Sequence, residues 1–461
     1  MPSNGSPAGP AAVVLPDVSA ELLGRYARPA PRYTSYPPIP AWSRMIGPAE
    51  YARALEAAAE PASGPLSIYV HLPFCPRRCL YCGCNVTISR RSDVANRYLD
   101  RLEQELGLVT RHLGRKRLAT QLHLGGGTPN HFDPGQLARL RDLLNRHFEL
   151  GGAEAGIEID PRLLLPGHLA AIRALGFERV SFGVQDLDPV VQRAIGRIQP
   201  LEQVRRSIDD ARAAGFASVN LDLIYGLPEQ TLLRFARTIE SVAELAPDRI
   251  ACFGYAHVPR MQPHQRALER YTHPDTVARF ALNRLAIEGL TAAGYVWVGL
   301  DHFVLPGDPL ARAALTGGLS RNFNGYTTMP ATHLVGLGTS AIGEVAGWQV
   351  QNHSDLAGWH AAVAGGRLAT VRGHRLTDDD RRRRAAILSL MCDLTLPAER
   401  LIGLEAEAAR LAGFEADGLI ERGAGDFRVT VLGRVFLRTI CTAFDAYLPD
   451  AAAPAPMSQA V

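Results

Sequence analysis

From Leu66 onward the chain alternates short β-rich apolar runs with longer stretches whose apolar residues recur every three or four positions. The runs are Leu66–Val70, Gln121–Leu124, Gly156–Ile159, Val180–Gly183, Val219–Ile224 and Arg249–Phe253. Helical spacing covers Val94–His112, Gly135–His147, Leu201–Ala214 and Leu232–Leu245 between them. Strand–helix units in succession predict a parallel sheet. Six such units are two short of a closed (β/α)8 barrel, so the expected fold is α/β, an incomplete (β/α)6 three-quarter barrel. Tyr295–Leu300, after a long helical stretch at Pro274–Ala293, is a candidate seventh strand.

The flanks read differently. Residues 1–30 are rich in Pro, Ala, Gly and Ser, which predicts a disordered leader. Pro31–Pro38 follows as an arm that its prolines keep extended, placed to fold across the barrel mouth. Beyond about residue 370 the rhythm changes. Thr377 can cap a helix running through Arg381–Arg384 to Leu390, with Asp380 set for a capping-box contact. A short helix at Glu405–Ala412, a strand pair at Gly418–Arg422 and Phe427–Val431, and a closing helix Arg434–Tyr447 complete a mainly helical, winged-helix-like module. The expected division is 1–48 for leader and arm, 49–368 for the barrel and 369–461 for the C-terminal module, with Ala451–Val461 a loose tail.

Composition narrows the function. The 461 residues are 47% hydrophobic and 21% charged, which excludes a wholly disordered or fibrous chain. A net charge of +3 is too balanced for a general nucleic-acid binder. Lys116 is the single lysine, so Schiff-base chemistry has one candidate and no Gly-Lys pair exists to build a P-loop. No apolar run approaches the ~18 residues of a membrane span, and the N-terminus lacks the basic and apolar regions of a secretory signal. A soluble, cytoplasmic protein is expected.

The seven cysteines are unevenly spread: Cys75, Cys79, Cys82 and Cys84 fall within ten residues, and Cys252, Cys392 and Cys441 sit in apolar segments as small hydrophobes. A disulfide scaffold would be short and would disperse its cysteines. The spacing C-x3-C-x2-C of Cys75, Cys79 and Cys82 suits three thiolates around a [4Fe–4S] cluster with one iron left open, to which S-adenosylmethionine can bind. Structural zinc is the competing reading, but zinc sites usually bring two cysteine pairs and no second pair is present. At the strand ends stand the cysteine loop, Gly125–Gly127, Glu158, Gln185, Asp222 and Ala256, six loops converging on one mouth.

C-x3-C-x-aromatic-C is the signature of the radical S-adenosylmethionine superfamily. The stretch through Gly83-Cys84-Asn85 resembles the oxygen-independent coproporphyrinogen III oxidase family. So do Arg32–Pro37, Gly125–Pro129, Glu158–Arg162, Gly183–Asp186, Asp222–Pro228, Tyr255–Pro259 and Arg321–Thr328. The resemblance runs from about residue 32 to 447. It implies Cys75, Cys79 and Cys82 as cluster ligands, with Cys84 outside the ligand set. It implies two molecules of S-adenosylmethionine: Tyr69, Gly125, Glu158 and Ile342 at the first, and Tyr81, Gly126, Gly127, Gln185, Arg197, Asp222 and Ala256 at the second. Tyr69 and Glu158 are the implied catalytic residues. The implied reaction is oxidative decarboxylation of two propionate side chains of coproporphyrinogen III to vinyl groups. Arg32, Tyr33 and Arg321 are candidate anchors for the substrate's carboxylates. One departure stands out: Asn324 occupies a position where Gln is expected. An electron donor such as a flavodoxin or ferredoxin, no nucleic-acid or membrane partner, and a monomer complete the expectation. A haem-trafficking relative and a ferredoxin-like carrier are the alternatives. The Arg32–Pro37 arm with Cys84 argues against the first, and the open iron with the chain length against the second.

Overall fold

A computed structural model describes residues 12–60, 63–91, 93–114 and 116–448. Six strands form its centre: β1 Leu66–Leu72, β2 Arg117–Gly126, β3 Glu154–Ile159, β4 Arg179–Gln185, β5 Ser218–Tyr225 and β6 Arg249–Gly254. Each is parallel to its neighbour, in the order β6-β5-β4-β3-β2-β1. The helices between them include Asp93–Leu113, Pro134–His147, Leu201–Ala213 and Leu232–Leu245, within a residue of the expected bounds. Local chemistry sets those bounds. Asp133 caps its helix by accepting from the Gln136 amide, and the Gln136 side chain accepts from the Asp133 N–H in return.

The period-two alternation of each strand divides the sheet into two faces. In β3, Ala155, Ile157 and Ile159 are buried against the helices, whereas Glu154, Gly156 and Glu158 line an interior cavity. Strands β4 and β5 repeat this, with Val180 and Phe182 or Val219 and Leu221 buried, and Ser181 or Asn220 and Asp222 facing the cavity. The barrel lumen is therefore a polar space inside an apolar jacket.

The sheet continues past the six strands on both edges. Tyr295–Leu300, expected as a seventh barrel strand, instead supplies Val296–Val298, which pairs antiparallel with His302–Val304; the latter pairs antiparallel with β6. The chain turns back within four residues, and Gly294 before the run and Gly299 after it take left-handed φ values that bound it. The parallel neighbour lies at the other edge, where His333–Leu337 pairs with β1. Ile342–Val345, Trp348–Asn352 and Thr370–Arg375 extend that edge antiparallel. A hairpin of Ser320–Asn322 and Gly325–Thr327 lies beside the lumen. Gln121 Nε2 donates to Thr327 Oγ1 at 2.7 Å, and the Tyr326 hydroxyl donates to Met391 O and accepts from the Leu300 N–H.

The C-terminal part opens with the helix Asp378–Asp393, capped by Thr377 in a capping box with Asp380. A three-stranded sheet, Thr395–Pro397 beside Asp426–Val429 beside Ile420–Arg422, follows with helices Glu405–Ala409 and Leu411–Ala416, a winged-helix-like arrangement. The single closing helix expected over Arg434–Tyr447 is broken into Val431–Val435, Leu437–Cys441 and a 3₁₀ turn Thr442–Phe444.

The expected disordered leader also needs correction, because residues 12–30 are ordered. Leu15, Leu23 and Tyr26 are buried in the core. Val13 and Leu15 donate their N–H groups to Thr291 Oγ1 and Glu288 Oε1 of the helix Thr276–Ala292. Ser19 caps the helix Ala20–Tyr26 by accepting from the Leu22 N–H. Residues 1–11 of the leader, and the tail from residue 449 including Ala451–Val461, lie outside the described residues.

Candidate active site at the barrel mouth

Strand β1 ends at Leu72, and Phe74–Cys75 pairs with Thr87–Ile88, closing the cysteine loop at its base. The loop is clamped along its length. Leu80 N–H donates to Ile195 O, Gln265 Nε2 to Tyr81 O, and Gln262 Nε2 to Gly83 O, while His264 Nε2 lies 2.8 Å from Cys82 O. Cys75, Cys79 and Cys82 are free thiols on this one loop. Two guanidiniums approach the sulfur of buried Cys79, Arg162 at 3.5 Å and Arg197 at 3.6 Å. Both also bind Asp160, at 2.6 and 3.1 Å. Two guanidiniums beside the loop make a cationic surround that fits an anionic group held by these sulfurs. A hydrogen bond from Cys84 pulls the Cys82 thiol below its ordinary value, which places the two thiols side by side. Among the described residues no three His, Cys, Asp or Glu side chains gather closely enough for a single metal ion, whereas a [4Fe–4S] cluster needs its thiolates spread around a larger body.

The glycines at the end of β2 are required by their neighbours. A Cβ on Gly125 would lie 2.9 Å from Glu158 Oε1, one on Gly126 2.9 Å from the His71 ring, and one on Gly127 2.6 Å from Pro73 O. Gly126 also has φ +123°, outside the range of side-chain-bearing residues. The turn thus runs flush against the base of the cysteine loop, held by Gly127 N–H to Leu72 O at 2.8 Å and Thr128 N–H to Phe74 O at 3.0 Å.

Tyr69 and Glu158 face the same space. His71 Nε2 lies 3.0 Å from the Asn85 carbonyl, an acceptor, so the proton sits on Nε2 and Nδ1 accepts from the Tyr69 hydroxyl at 3.0 Å. The Tyr69 ring stacks on His123, whose Nε2 lies 3.1 Å from Glu158 Oε1. Burial opposes the charge on Glu158, but His123 and the Gly126 N–H outweigh it and hold the carboxyl below its usual range. Asp222 differs. Burial and the Glu158 charge push it up to about 7, despite donation from Ser181 Oγ at 3.1 Å and Asn220 Nδ2 at 2.8 Å.

The remaining expected site residues sit around this centre. Arg197 Nε donates to Gly183 O at 3.1 Å, and Gln185 holds a left-handed φ of 73° at the end of β4. Ala256 O accepts from Gln265 Nε2, the group that also holds Tyr81. Ile342 is buried beside the cluster of Tyr69, Leu334 and Ala341. Arg32 lies over the Phe253 ring at 5.2 Å and donates to Gly254 O. Arg321 donates to Arg32 O, and its buried Nε and Nη1 have no hydrogen-bond partner among the described residues. Asn324 lines the lumen cavity. Tyr33 does not join the group. It is buried, and its hydroxyl donates to Asp445 Oδ2 at 3.0 Å in the C-terminal part, so as a substrate anchor it is corrected to a packing residue. Sequence reasoning did not single out His71, His123, Asp160 or Arg162, whose roles appear only once these loops meet in space.

Residues 69–242 match the model of the Radical SAM superfamily. The chain is 42% identical over 443 residues to the oxygen-independent coproporphyrinogen III oxidase of Pseudomonas aeruginosa, covering 94% of this chain and 96% of that one. The Escherichia coli oxygen-independent coproporphyrinogen III oxidase is 41% identical over 442 residues, with the same coverage. The solved structure of coproporphyrinogen III oxidase (HemN) from Escherichia coli, described as a radical SAM enzyme, superposes with a TM-score of 0.86 at 40% identity, covering 90% of this chain and 98% of that one. With its cysteine loop, glycine turn and carboxylates gathered at one barrel mouth, the chain belongs to the oxygen-independent coproporphyrinogen III oxidases, a radical SAM family that uses a [4Fe–4S] cluster and S-adenosylmethionine.

Proposed function

We propose that this protein converts coproporphyrinogen III to protoporphyrinogen IX by oxidative decarboxylation of two propionate side chains, each becoming a vinyl group. The observation that carries the reading is that the cysteine loop, the cavity-lining carboxylates Glu158 and Asp222, and the Arg32–Arg321 pair are brought by separate elements to the same barrel. Cys75, Cys79 and Cys82 would hold the cluster. Tyr69, Gly125, Glu158 and Ile342 would contact the S-adenosylmethionine on it. A second molecule would lie against Tyr81, Gly126, Gly127, Gln185, Arg197, Asp222 and Ala256. When bound, cluster and S-adenosylmethionine would supply a 5′-deoxyadenosyl radical that takes hydrogen from the propionate β-carbon, and loss of carbon dioxide with transfer of one further electron to an external one-electron acceptor would leave the vinyl group.

The chain's own residues bind, orient and shield. The backbone of Gly125–Gly127 approaches the ligand without side chains in the way. Because the Tyr69 proton points to His71, the phenol oxygen offers lone pairs to a cationic ligand group. Glu158 and Asp222 offer carboxylates to the same ligand chemistry. Arg32 and Arg321 lie beside Phe253 or Tyr326, where a propionate would give the unpartnered N–H groups of Arg321 an acceptor. The radical needs stray hydrogen donors kept away, and the surrounding hairpin and arm narrow access to the cavity.

A flavodoxin or ferredoxin supplies the electron in this reading, and the protein works as a cytoplasmic monomer. No helix among the described residues is long and apolar enough to cross a membrane. Its working units are the arm at 1–48, the barrel at 49–368 and the C-terminal module at 369–461. The test is anaerobic incubation of reconstituted protein with coproporphyrinogen III, S-adenosylmethionine and a reductant. Appearance of the divinyl product supports the reading. Substrate recovered unchanged while S-adenosylmethionine is cleaved would refute it.

A further inference from the structure

His302 starts the edge strand next to β6 and lines the lumen cavity that also contains Glu158 and Asp222. Its Nδ1 lies 2.6 Å from Asp301 Oδ1. Its Nε2 makes no hydrogen bond among the described residues. Edge contacts fix the ring against Phe253, at 6.0 Å and 83°, and Tyr326, at 5.3 Å and 79°. Asp301 is held in turn, because its carbonyl accepts the Cys252 N–H at 2.7 Å. Burial would raise the Asp301 carboxyl, but His302, Arg321 and Arg32 hold it down at about 2. A carboxylate against Nδ1 accepts the proton held there and fixes the ring, leaving Nε2 facing the cavity, where an anionic ligand group can share a proton with it.

The surroundings say what that nitrogen would meet. Phe253 has Arg32 over its face at 5.2 Å and His302 at its edge, and Arg321 donates to Arg32 O while two of its N–H-bearing atoms lack hydrogen-bond partners among the described residues. Glu158 and Asp222 belong to strands β3 and β5, and His302 to the antiparallel strand beyond β6. Glu158 and Asp222 thus line the cavity from one wall and His302 from another, with Arg32 and Arg321 gathered behind His302 at the Phe253 and Tyr326 rings. An anion entering it is repelled from the first wall and attracted to the second.

Resting on the functional reading above, we propose that His302, positioned by Asp301, is a substrate-binding residue that takes a propionate carboxylate of the tetracarboxylate macrocycle, alongside Arg32 and Arg321. Four propionates enter and two react, so two others need fixed partners during each turnover. A charge-assisted N–H···O⁻ contact in a partly desolvated pocket provides one.

The probe is coproporphyrin III, the fluorescent oxidised tetracarboxylate, with the dicarboxylate protoporphyrin IX as comparison. Binding is followed by fluorescence titration of the intact protein, and steady-state KM for coproporphyrinogen III is measured with the reconstituted enzyme. H302Q and H302A are expected to weaken coproporphyrin III binding about tenfold or more, with a smaller loss for protoporphyrin IX. KM should rise while uncoupled cleavage of S-adenosylmethionine and the unfolding midpoint stay at wild-type values. D301N should move KM in the same direction. Conversion by wild type together with wild-type affinity in H302Q, or equal losses for both porphyrins, would overturn the assignment alone. A wild-type protein that neither binds coproporphyrin III nor converts the porphyrinogen would overturn the functional reading and this assignment together.

Discussion

Replacing Gly127 by alanine perturbs the contact between the glycine turn and the base of the cysteine loop. The new Cβ would sit 2.6 Å from Pro73 O and 2.7 Å from Phe74 O, both backbone atoms that cannot rotate away. Gly127 is not in the left-handed region, so the effect is steric and not a matter of φ. One segment must retreat by roughly 1 Å to restore van der Waals contact. That retreat strains the bonds from Gly127 N–H to Leu72 O and from Thr128 N–H to Phe74 O. Overpacking together with two weakened hydrogen bonds amounts to about 2–6 kcal/mol. Because Phe74 adjoins Cys75, the displacement also moves a proposed cluster ligand. G127A should show a lowered denaturation midpoint as apoprotein and reduced iron and sulfide per chain after anaerobic reconstitution. G83A is the control in the same loop, since a Cβ there has nothing within 4 Å. Full iron content and an unchanged midpoint in G127A, matching G83A, would refute the packing argument.

Three further outcomes follow from the site. Serine at Cys75, Cys79 or Cys82 should abolish the brown iron–sulfur absorption, whereas C84S should retain it; the reverse pattern at Cys82 and Cys84 would reverse the ligand assignment. Asp222 titrates at about 7 and must be ionised to hold a cationic ligand, so binding of the second equivalent of S-adenosylmethionine should weaken about tenfold per pH unit below that point. Calorimetry on wild type and D222N checks this, with a pH-independent wild type as the contrary result. Y33F should lower stability by about 1 kcal/mol through loss of the bond to Asp445, with KM for the porphyrinogen unchanged; a raised KM would return Tyr33 to the substrate site.

The barrel was legible because two periodicities alternate along it, and the helix bounds agree because caps such as Asp133 and Thr231 are written into the chain. The polar lumen was also readable, as the alternation Glu154-Ala155-Gly156-Ile157-Glu158 shows, but only once strand faces are assigned. The edges were not. Val296–Val298 and His333–Leu337 are short apolar runs whose pairing direction depends on partners distant in sequence. The ordered leader rests on three large side chains, Leu15, Leu23 and Tyr26, too few to outweigh its Pro and Ala content in any local reading. The closing helix is buried on many sides at Leu437, Ile440, Cys441 and Phe444, so periodicity could not mark its breaks. At the site, the cysteines and glycines announced themselves through spacing. His71, His123 and the Asp301–His302 pair carry no spacing signature, because their meaning lies in cross-strand geometry.

The arm packs on the C-terminal part as well as lying at the barrel mouth. Tyr36 is buried with its hydroxyl donating to Phe444 O, Gln349 donates to Tyr36 O, and Arg438 donates to Pro31 O. Removing residues 1–38 would therefore unseat the C-terminal part as well as uncover the mouth. Arg32, donating to Gly254 O, and Arg321, donating to Arg32 O, tie the arm to the end of β6. Point substitutions, not truncation, separate binding from folding here.

The central claim is that one cavity couples cleavage of S-adenosylmethionine to loss of two propionate carboxyls. The most direct measurement is the ratio of 5′-deoxyadenosine to protoporphyrinogen IX formed by anaerobically reconstituted protein given coproporphyrinogen III, S-adenosylmethionine and a one-electron reductant. One hydrogen abstraction for each propionate predicts a ratio of about two, with carbon dioxide released in step. 5′-Deoxyadenosine accumulating with no vinyl product, under conditions where the cluster is fully assembled, would contradict the account.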